Sequence, residues 1–338
     1  MRLCLFLLSL SALGGIVEAV VDPGVVTGEI GSFLFLSPFL IVRNIGNTAV
    51  HDPTMCKDDK GMYYVFSTGV GIEIRTSPDR TAWTLAGLVW PNGASWTDPY
   101  TGTSNGALWA PDCTYLNGQF YLYYAASTFG SQNSAVFFAK SSTGLPGSFT
   151  NEGLVTSTST GAAYNAIDPN LLVVGSTWYL SLGSFWTGIK GQPLGSSTGK
   201  PSTTTVTALA ERFVNSDAIE ASVIYQSGSF YYLFTSWDLC CQGTSSTYNI
   251  RVGRSSTYNG GYVDASGVAL TNGGGTLVLS THDSIVGPGG QDLMTDVDGP
   301  ILVYHYYTSA GSFLGINRLD FSSGWPVTLS RECILFGH

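Results

Sequence analysis

Short apolar and aromatic segments recur along the chain, separated by turns rich in Gly, Asn, Asp and Ser. This pattern predicts many β-strands joined by tight turns. Four units begin with a carboxylate, spaced 60, 56 and 52 residues apart: Asp52, Asp112, Asp168 and Glu220. The aromatic strands that follow read MYYVFST (62–68), FYLYYAAS (120–127), WYLSLGSF (178–185) and FYYLFTSW (230–237). The chain therefore contains an internal repeat, and the four carboxylates are expected at equivalent places in it.

A fifth unit begins near Gln291-Asp292 and has its aromatic strand at ILVYHYY (301–307). Third strands follow in every unit, although the third unit offers only the weaker WTGIKGQPL (186–194). Repeats of this length with three or four strands each predict an all-β fold, a five-bladed β-propeller in a single domain. A non-repeating β-sandwich is the structural alternative, but it does not explain the fivefold recurrence.

The first 19 residues have the features of a secretory signal. Arg2 precedes the apolar stretch Leu3 to Val17, and Val17-Glu18-Ala19 provides a small-residue cleavage site. Residues 20–48 form an N-terminal entry segment with an atypical apolar insertion at 32–42, which is too short to span a bilayer. The propeller is expected to occupy residues 49–338.

Composition limits the choice of partner. The net charge is −9 and the sequence has no cluster of Lys or Arg, which argues against nucleic acids and anionic membranes. Abundant aromatic, Asn, Ser and Thr residues with few charges suit a neutral polymer such as a carbohydrate.

Five cysteines remain after the signal, an odd number, so at least one is expected to stay free or to pair elsewhere. The pairing of Cys56, Cys113, Cys240, Cys241 and Cys333 stays open. The adjacent Cys240 and Cys241 do not suggest a metal site, because the neighbouring sequence offers no further His or Cys ligand.

In a propeller, equivalent positions at the start of each innermost strand form a ring around the central channel. Carboxylates gathered there repel one another, so their pKa values spread apart and one can be protonated while another is ionised. Glycoside hydrolysis requires such a pair, an acid and a base. A structural role in a turn or strand cap is the alternative for any single Asp.

Specific motifs carry a family resemblance that extends from about Ala49 to the C-terminus. They are HDP (51–53), LWAPD (108–112), STFG (127–130), NAIDPN (165–170), GSFWTGI (183–189), IEAS (219–222), DLCCQGTSSTYNIRVGRS (238–255), GGGT (273–276), GPGG (287–290) and LVYHYY (302–307). Together they resemble glycoside hydrolase family 43, and within it the secreted fungal endo-1,5-α-L-arabinanases. The resemblance implies a five-bladed propeller and an inverting mechanism.

The resemblance also implies roles for individual residues. Asp52 is expected to be the general base, Glu220 the general acid, and Asp168 the carboxylate that orients the acid and raises its pKa. Asp112 has no catalytic role in the family and is interpreted as structural. Inversion implies roughly 6.5–9.5 Å between acid and base, with room for water.

Further site residues follow from the same resemblance. His305 is expected to help hold one metal ion in the central channel, with calcium favoured, although a lone His is a sparse ligand for a cation that prefers oxygen. Residues expected to bind substrate are Trp109, Phe129, Asn165, Ser184 and Trp186. A structural place in the core is the alternative for each aromatic.

The sequence thus predicts a secreted, monomeric, inverting endo-hydrolase of α-1,5-linked arabinan, a side chain of pectin, with no organic cofactor. We expect no binding to nucleic acid and no membrane association after signal removal. Two alternatives remain: an exo-acting arabinofuranosidase or β-xylosidase of the same fold, and a non-catalytic propeller that only binds polysaccharide.

Overall fold

The structure is a computed structural model that describes residues 27–28, 46–214 and 216–329. The signal at 1–19, the insertion at 32–42 and Cys333 lie outside the described residues. Among the residues it does describe, no helix is long and apolar enough to cross a membrane.

Five sheets, antiparallel except for the parallel pairing of β1 with β6, form the blades of a propeller, which confirms the predicted fold. Blade one contains β1 (Thr27–Gly28), β2 (Thr54–Lys57), β3 (Tyr63–Ser67), β5 (Glu73–Ser77) and β6 (Ala82–Leu88), and the short β4 (Gly69–Val70) crosses to blade two. Blade two contains β7 (Ala107–Leu116), β8 (Gln119–Ala126), β9 (Ser134–Ser141) and β10 (Thr150–Thr158). Blade three contains β11 (Asn170–Val174), β12 (Thr177–Leu182), β13 (Ile189–Gly195), β14 (Lys200–Pro201) and β15 (Thr207–Ala210).

Blade four contains β16 (Ile219–Ser227), β17 (Phe230–Trp237), β18 (Asn249–Ser255) and β19 (Thr276–Leu279). Blade five contains β20 (Val286–Asp296), β21 (Gly299–Thr308), β22 (Gly311–Asp320) and β23 (Val327–Leu329). Within the described ranges, helical structure is limited to α1 (Asp98–Thr101) and 3₁₀ turns at Ser95–Thr97, Gly243–Ser245 and Leu270–Asn272. The weak third strand of unit three is β13, which pairs with β12, β14 and β15.

The hydrophobic core lies between the blades. Five clusters of buried residues occupy the five interfaces between neighbouring sheets. The interface that closes the ring packs Val65 and Trp83 of blade one against Ile301 and Val303 of blade five. Each sheet thus buries its faces only against its neighbours, as the repeat predicts.

The ring closes just before the first blade. Ala49 pairs with Phe313 of β22, the Val50 N–H donates to the Ser312 carbonyl at 3.3 Å, and the Leu314 N–H donates to the Thr48 carbonyl at 2.8 Å. A disulfide between Cys56 and Cys113 then joins the innermost strands of blades one and two.

Each blade has a residue of positive φ near the start of its first strand, and these residues correct the register assumed from the sequence. The five equivalent residues are Asp52 (φ 44°), Ala110 (39°), Asp168 (55°), Ala221 (51°) and Gly290 (56°). Asp112 therefore lies two positions after the ring member of blade two, Ala110. Glu220 lies one position before the ring member of blade four, Ala221. The backbone pairing of each blade fixes these positions, whereas the carboxylates had been aligned by chemical type alone.

Two positions after this ring, side chains tie each blade to the next. In each contact a backbone N–H of one blade donates to a side chain of the preceding blade. The four pairs are Cys113 N–H to Thr54, Leu171 N–H to Asp112, Ile224 N–H to Asn170, and Met55 N–H to Asp292. Blade four has Val223 at the equivalent position, so the ring of polar contacts is open there. We call these four contacts between neighbouring blades the latch ring. Asp112 is one of its acceptors, in agreement with its structural interpretation.

Candidate active site

The start of the first strands defines one face of the propeller, which we call the upper face. A small cavity with a volume of about 30 Å³ lies there, at the mouth of the channel. Equivalent residues of all five blades line it, including Asp52 with Pro53, Asp168 with Pro169, and Gly290. The fold therefore brings Asp52 and Asp168 together around one channel.

Asp52 is partly open, with 21% of its side chain exposed. Thr68 donates a hydrogen bond of 2.8 Å to Oδ2, and Thr68 in turn accepts the Ala110 N–H at 2.8 Å. Oδ1 lies 3.5 Å from Nδ1 of His305. A partly exposed carboxylate that is held on one side and open on the other can accept a proton from water.

Glu220 is buried, and both of its oxygens accept strong hydrogen bonds. Ser184 donates to Oε2 at 2.6 Å, and the hydroxyl of Tyr248 donates to Oε1 at 2.6 Å. Burial raises the pKa of Glu220 above its ordinary value, and the charge of Asp52 adds to the increase, while the two hydrogen bonds oppose it. The result is a fixed carboxyl group that favours its protonated, proton-donating form.

Asp168 is close enough to Glu220 and Asp52 to interact with the charges of both. One of its oxygens accepts the Ala221 N–H at 3.0 Å, next to Glu220 in β16. Burial raises the pKa of Asp168 well above its usual range, and the charges of Glu220 and then Asp52 raise it further. Burial and mutual repulsion thus favour a proton on the pair Asp168 and Glu220.

A second carboxyl pair lies deeper in the channel, within the latch ring. Burial, followed by the charge of Asp292, raises the pKa of Asp112 to about 8. Burial also raises the pKa of Asp292 to about 6, although Thr54 and the N–H groups of Met55 and Leu293 donate hydrogen bonds to it. All the oxygens of this pair accept hydrogen bonds from protein groups, so the pair is structural.

His305 is fully buried beneath Asp52. Its Nδ1 accepts the backbone N–H of Asp52 at 3.0 Å, and its Nε2 lies 3.0 Å from the hydroxyl of Tyr307. Burial, followed by the charge of His51, holds the pKa of His305 well below its usual value, so the ring is neutral and carries its proton on Nε2. Both ring nitrogens are therefore engaged with protein groups.

A cation at this point would find few ligands. Ligand atoms of His51, Asp52 and His305 lie within 4.8 Å of one another, but only Asp52 offers oxygen. Calcium takes six to eight oxygen ligands. In the present arrangement His305 can ligate a metal only if one of its two hydrogen bonds breaks. The described side chains thus fit calcium poorly, and no chemical step below depends on a metal.

The residues predicted to bind substrate divide into two groups. Phe129 is 80% exposed and Trp186 is 38% exposed, both in loops of the upper face, while Trp109 is half-buried at the start of β7. Asn165 and Ser184 are buried and hold protein groups: Asn165 accepts a hydrogen bond from Ser134, and Ser184 donates to Glu220.

Sequence reasoning missed several neighbours of the carboxylates. Tyr248, which donates to Glu220, lies in the quoted segment 238–255 but has no distinguishing spacing. Cys240 and Cys241 form a disulfide in the described structure, and Cys241 Sγ lies 3.6 Å from Nε2 of His51. The sequence around these cysteines offers no His, but the fold brings His51, which is 190 residues away in the chain, next to Cys241.

Comparison with known proteins identifies the family. The description "Glycosyl hydrolases family 43" matches residues 42–326 of the chain. The chain belongs to this family. It is therefore a glycoside hydrolase, and the resemblance drawn from its motifs is confirmed.

The matches to relatives within family 43 extend over nearly the whole length of those relatives. A protein of Aspergillus flavus named "Probable arabinan endo-1,5-alpha-L-arabinosidase A" is 43% identical over 296 residues, 83% of this chain and 91% of that protein. A solved structure, "GH43 Endo-Arabinanase from Bacillus licheniformis", is 39% identical with a TM-score of 0.79, covering 83% and 98% of the two chains. An exo-1,5-alpha-L-arabinanase from a bovine ruminal metagenomic library is 35% identical with the same TM-score of 0.79, covering 83% and 97%. Overall similarity of fold thus does not separate endo from exo action.

Proposed function

We propose that this family 43 hydrolase cleaves the α-1,5-L-arabinofuranosidic bonds of arabinan from within the chain, with inversion at the anomeric carbon. The observation that carries the proposal is the contrast between two carboxyl groups at one channel mouth. Glu220 is buried, fixed by two donors and shifted toward its protonated form, whereas Asp52 is partly open. The names of the relatives above supply the substrate.

In the proposed reaction, Asp52 accepts a proton from a water molecule as the water oxygen attacks the anomeric carbon. The bond from that carbon to the glycosidic oxygen breaks, and Glu220 transfers its proton to the departing oxygen. The new hydroxyl group lies on the opposite face of the sugar, so the configuration inverts. Proton exchange with solvent then restores both carboxyl groups.

Asp168 acts in this scheme as a positioning residue. Its carboxylate interacts with the charges of both Glu220 and Asp52, and it accepts the N–H of the residue that follows Glu220. Repulsion from Glu220 raises the pKa of Asp168, so the two neighbouring carboxyl groups resist being ionised together. Ser184 and Tyr248 hold the acid in one orientation, which is the form of preorganisation that catalysis requires.

Two other functions compete with this proposal. Exo-acting cleavage by an arabinofuranosidase or β-xylosidase uses the same carboxyl groups, and the solved exo-arabinanase shows that the fold permits exo action. A propeller that only binds polysaccharide would not need a buried proton donor beside an open carboxylate, which makes it the weaker alternative.

Several further properties belong to the same proposal. The leader at 1–19 supports secretion, and the disulfides Cys56–Cys113 and Cys240–Cys241 suit an oxidising compartment. A channel metal near His305, calcium or another ion, stays a prediction, as do the monomeric state and the absence of an organic cofactor. Phe129, Trp186 and Trp109 remain the aromatic residues proposed to contact the sugar.

The experiment compares wild type with Asp52→Asn and Glu220→Gln on linear arabinan, with proton NMR of the first product formed. We expect short oligosaccharides of inverted configuration from wild type, and a loss of kcat of about a thousandfold or more in both variants. Asp59→Asn and Glu152→Gln are matched controls at exposed positions and are expected to retain activity. Arabinose as the first product would favour exo action. Binding without any product would favour a lectin, and full activity of either variant would refute the assignment.

A further inference from the structure

A second and larger cavity lies on the upper face, at the outer end of blade two. It has a volume of about 440 Å³, within the range of small-molecule sites. Its lining comes from α1, from the loop between β8 and β9, and from the end of β10: Pro99, Tyr100, Thr101, Gly102, Asn133, Ser157, Thr158 and Ser159. None of these residues belongs to the carboxylate site described above.

The chemistry of the lining selects a neutral ligand rich in hydroxyl groups. No Lys, Arg, Asp, Glu or His is among the lining residues, so a charged ligand would find no counterion. Ser157 and Ser159 are exposed and offer hydroxyl groups. Tyr100 adds a half-buried aromatic ring, which packs edge-on against Phe137 with 5.5 Å between centroids. An aromatic ring beside hydroxyl and amide groups matches a sugar unit.

The walls of the cavity are fixed before any ligand binds. The Gln132 side chain donates to the carbonyls of Ala162 and Tyr164 at 2.5 and 3.2 Å, which joins the β8–β9 loop to the loop after β10. The next residue, Asn133, accepts the Thr160 N–H at 3.0 Å. A preformed site loses less conformational entropy on binding than a flexible one.

The cavity lies beside the loop that carries Phe129, one of the aromatic residues proposed to contact the sugar. Thr128 donates to the carbonyl of Thr101 at 2.9 Å, so the cavity wall adjoins the loop that carries the exposed Phe129. The polypeptide segment that follows β10 runs from Ser159 in the cavity lining to Asp168 in the channel lining. For the cavity to act together with the carboxylates, a chain of linked sugars must extend past Phe129 toward blade two.

We propose that this cavity is a distal subsite for a sugar unit of the arabinan chain, with Tyr100, Ser157 and Asn133 as its contacts. The inference rests on the proposed function and extends it, since a subsite far from the cleaved bond engages only a polymer of sufficient length. It favours internal cleavage of long chains, because an enzyme acting on short ends has no use for it.

The experiment fills the cavity by Ser157→Trp and, separately, by Ser159→Trp. The measured quantity is the ratio of kcat/KM on linear arabinan to kcat/KM on arabinotriose. Loss of one sugar contact is expected to lower this ratio about threefold to tenfold in both variants, mainly through KM on the polymer. Ser229→Trp is the matched control, an exposed serine in the β16–β17 turn on the opposite face, and is expected to leave the ratio unchanged.

The outcomes separate the two levels of the proposal. A wild type that does not hydrolyse arabinan overturns the proposed function, and the subsite with it. An active wild type with an unchanged ratio in both folded tryptophan variants overturns the subsite alone. An equal loss on arabinotriose and arabinan also overturns it, because the substitution would then act at the catalytic centre. A melting temperature close to that of wild type establishes that each variant is folded.

Discussion

Replacing Gly290 by alanine tests whether the position of Asp52 controls the reaction. Gly290 belongs to the ring of positive-φ residues and packs directly beneath Asp52. A Cβ atom at this position would lie 2.4 Å from Oδ1 of Asp52 and 2.7 Å from Nδ1 of His305. His305 is fully buried and cannot yield, whereas Asp52 is partly exposed, so the Asp52 carboxylate is the group that moves.

The size of the effect follows from the geometry. An ordinary contact begins near 3.4 Å, so the 2.4 Å approach requires a shift of roughly 1 Å. A misplacement of about 1 Å at a reacting group can reduce the rate about a hundredfold. The left-handed backbone adds about 1–2 kcal/mol to the cost in stability. The fold tolerates alanine in this conformation, because Ala110 and Ala221 occupy equivalent positions with φ of 39° and 51°.

The assay measures kcat on linear arabinan together with the melting temperature of Gly290→Ala. We expect a fall in kcat of about a hundredfold in a folded protein that melts a few degrees lower. Ala110→Gly, the reverse change at an equivalent position, serves as the matched control and is expected to keep kcat near wild type. A Gly290→Ala variant with kcat within threefold of wild type would show that the placement of Asp52 is not critical.

Two further predictions concern the channel. Val223→Thr places a hydroxyl group at the open position of the latch ring, but the equivalent donor, the Leu293 N–H, already donates to Asp292. We therefore expect the free energy of unfolding in urea to fall by about 1–3 kcal/mol, as it should for Val252→Thr, buried in β18. An increase for Val223→Thr would show instead that the Leu293 N–H also reaches the new hydroxyl group. Tyr248→Phe removes a hydrogen bond that lowers the pKa of Glu220, so the acid stays protonated to higher pH and the alkaline limb of the kcat/KM profile should move upward. Tyr232→Phe, whose hydroxyl bonds to Gly324 far from the site, should leave the limb in place, and a downward shift in Tyr248→Phe would refute the assignment of Glu220 as acid.

The number of blades could be predicted because strand and turn signals repeat locally along the chain. The ring register could not, because it depends on where each strand pairs, and the bulges between Trp109 and Asp112 and between Glu220 and Val223 displace residues that look equivalent in sequence. The same limit applies to Tyr248 and to the contact of Cys241 with His51. Both arise from tertiary packing between segments that have no local relation, and only the folded ring brings them to Glu220 and Asp52.

The closure of the ring has a consequence for how the enzyme loses activity on heating. Thr48 and Val50 hold blade five through a few backbone hydrogen bonds, and Asp52 follows two residues later. The Cys56–Cys113 disulfide secures the chain only beyond that point. Local opening of residues 46–52 would therefore displace Asp52 while the five blades stay intact. The working lifetime of the enzyme at high temperature would then depend on this short seam rather than on the global melting temperature.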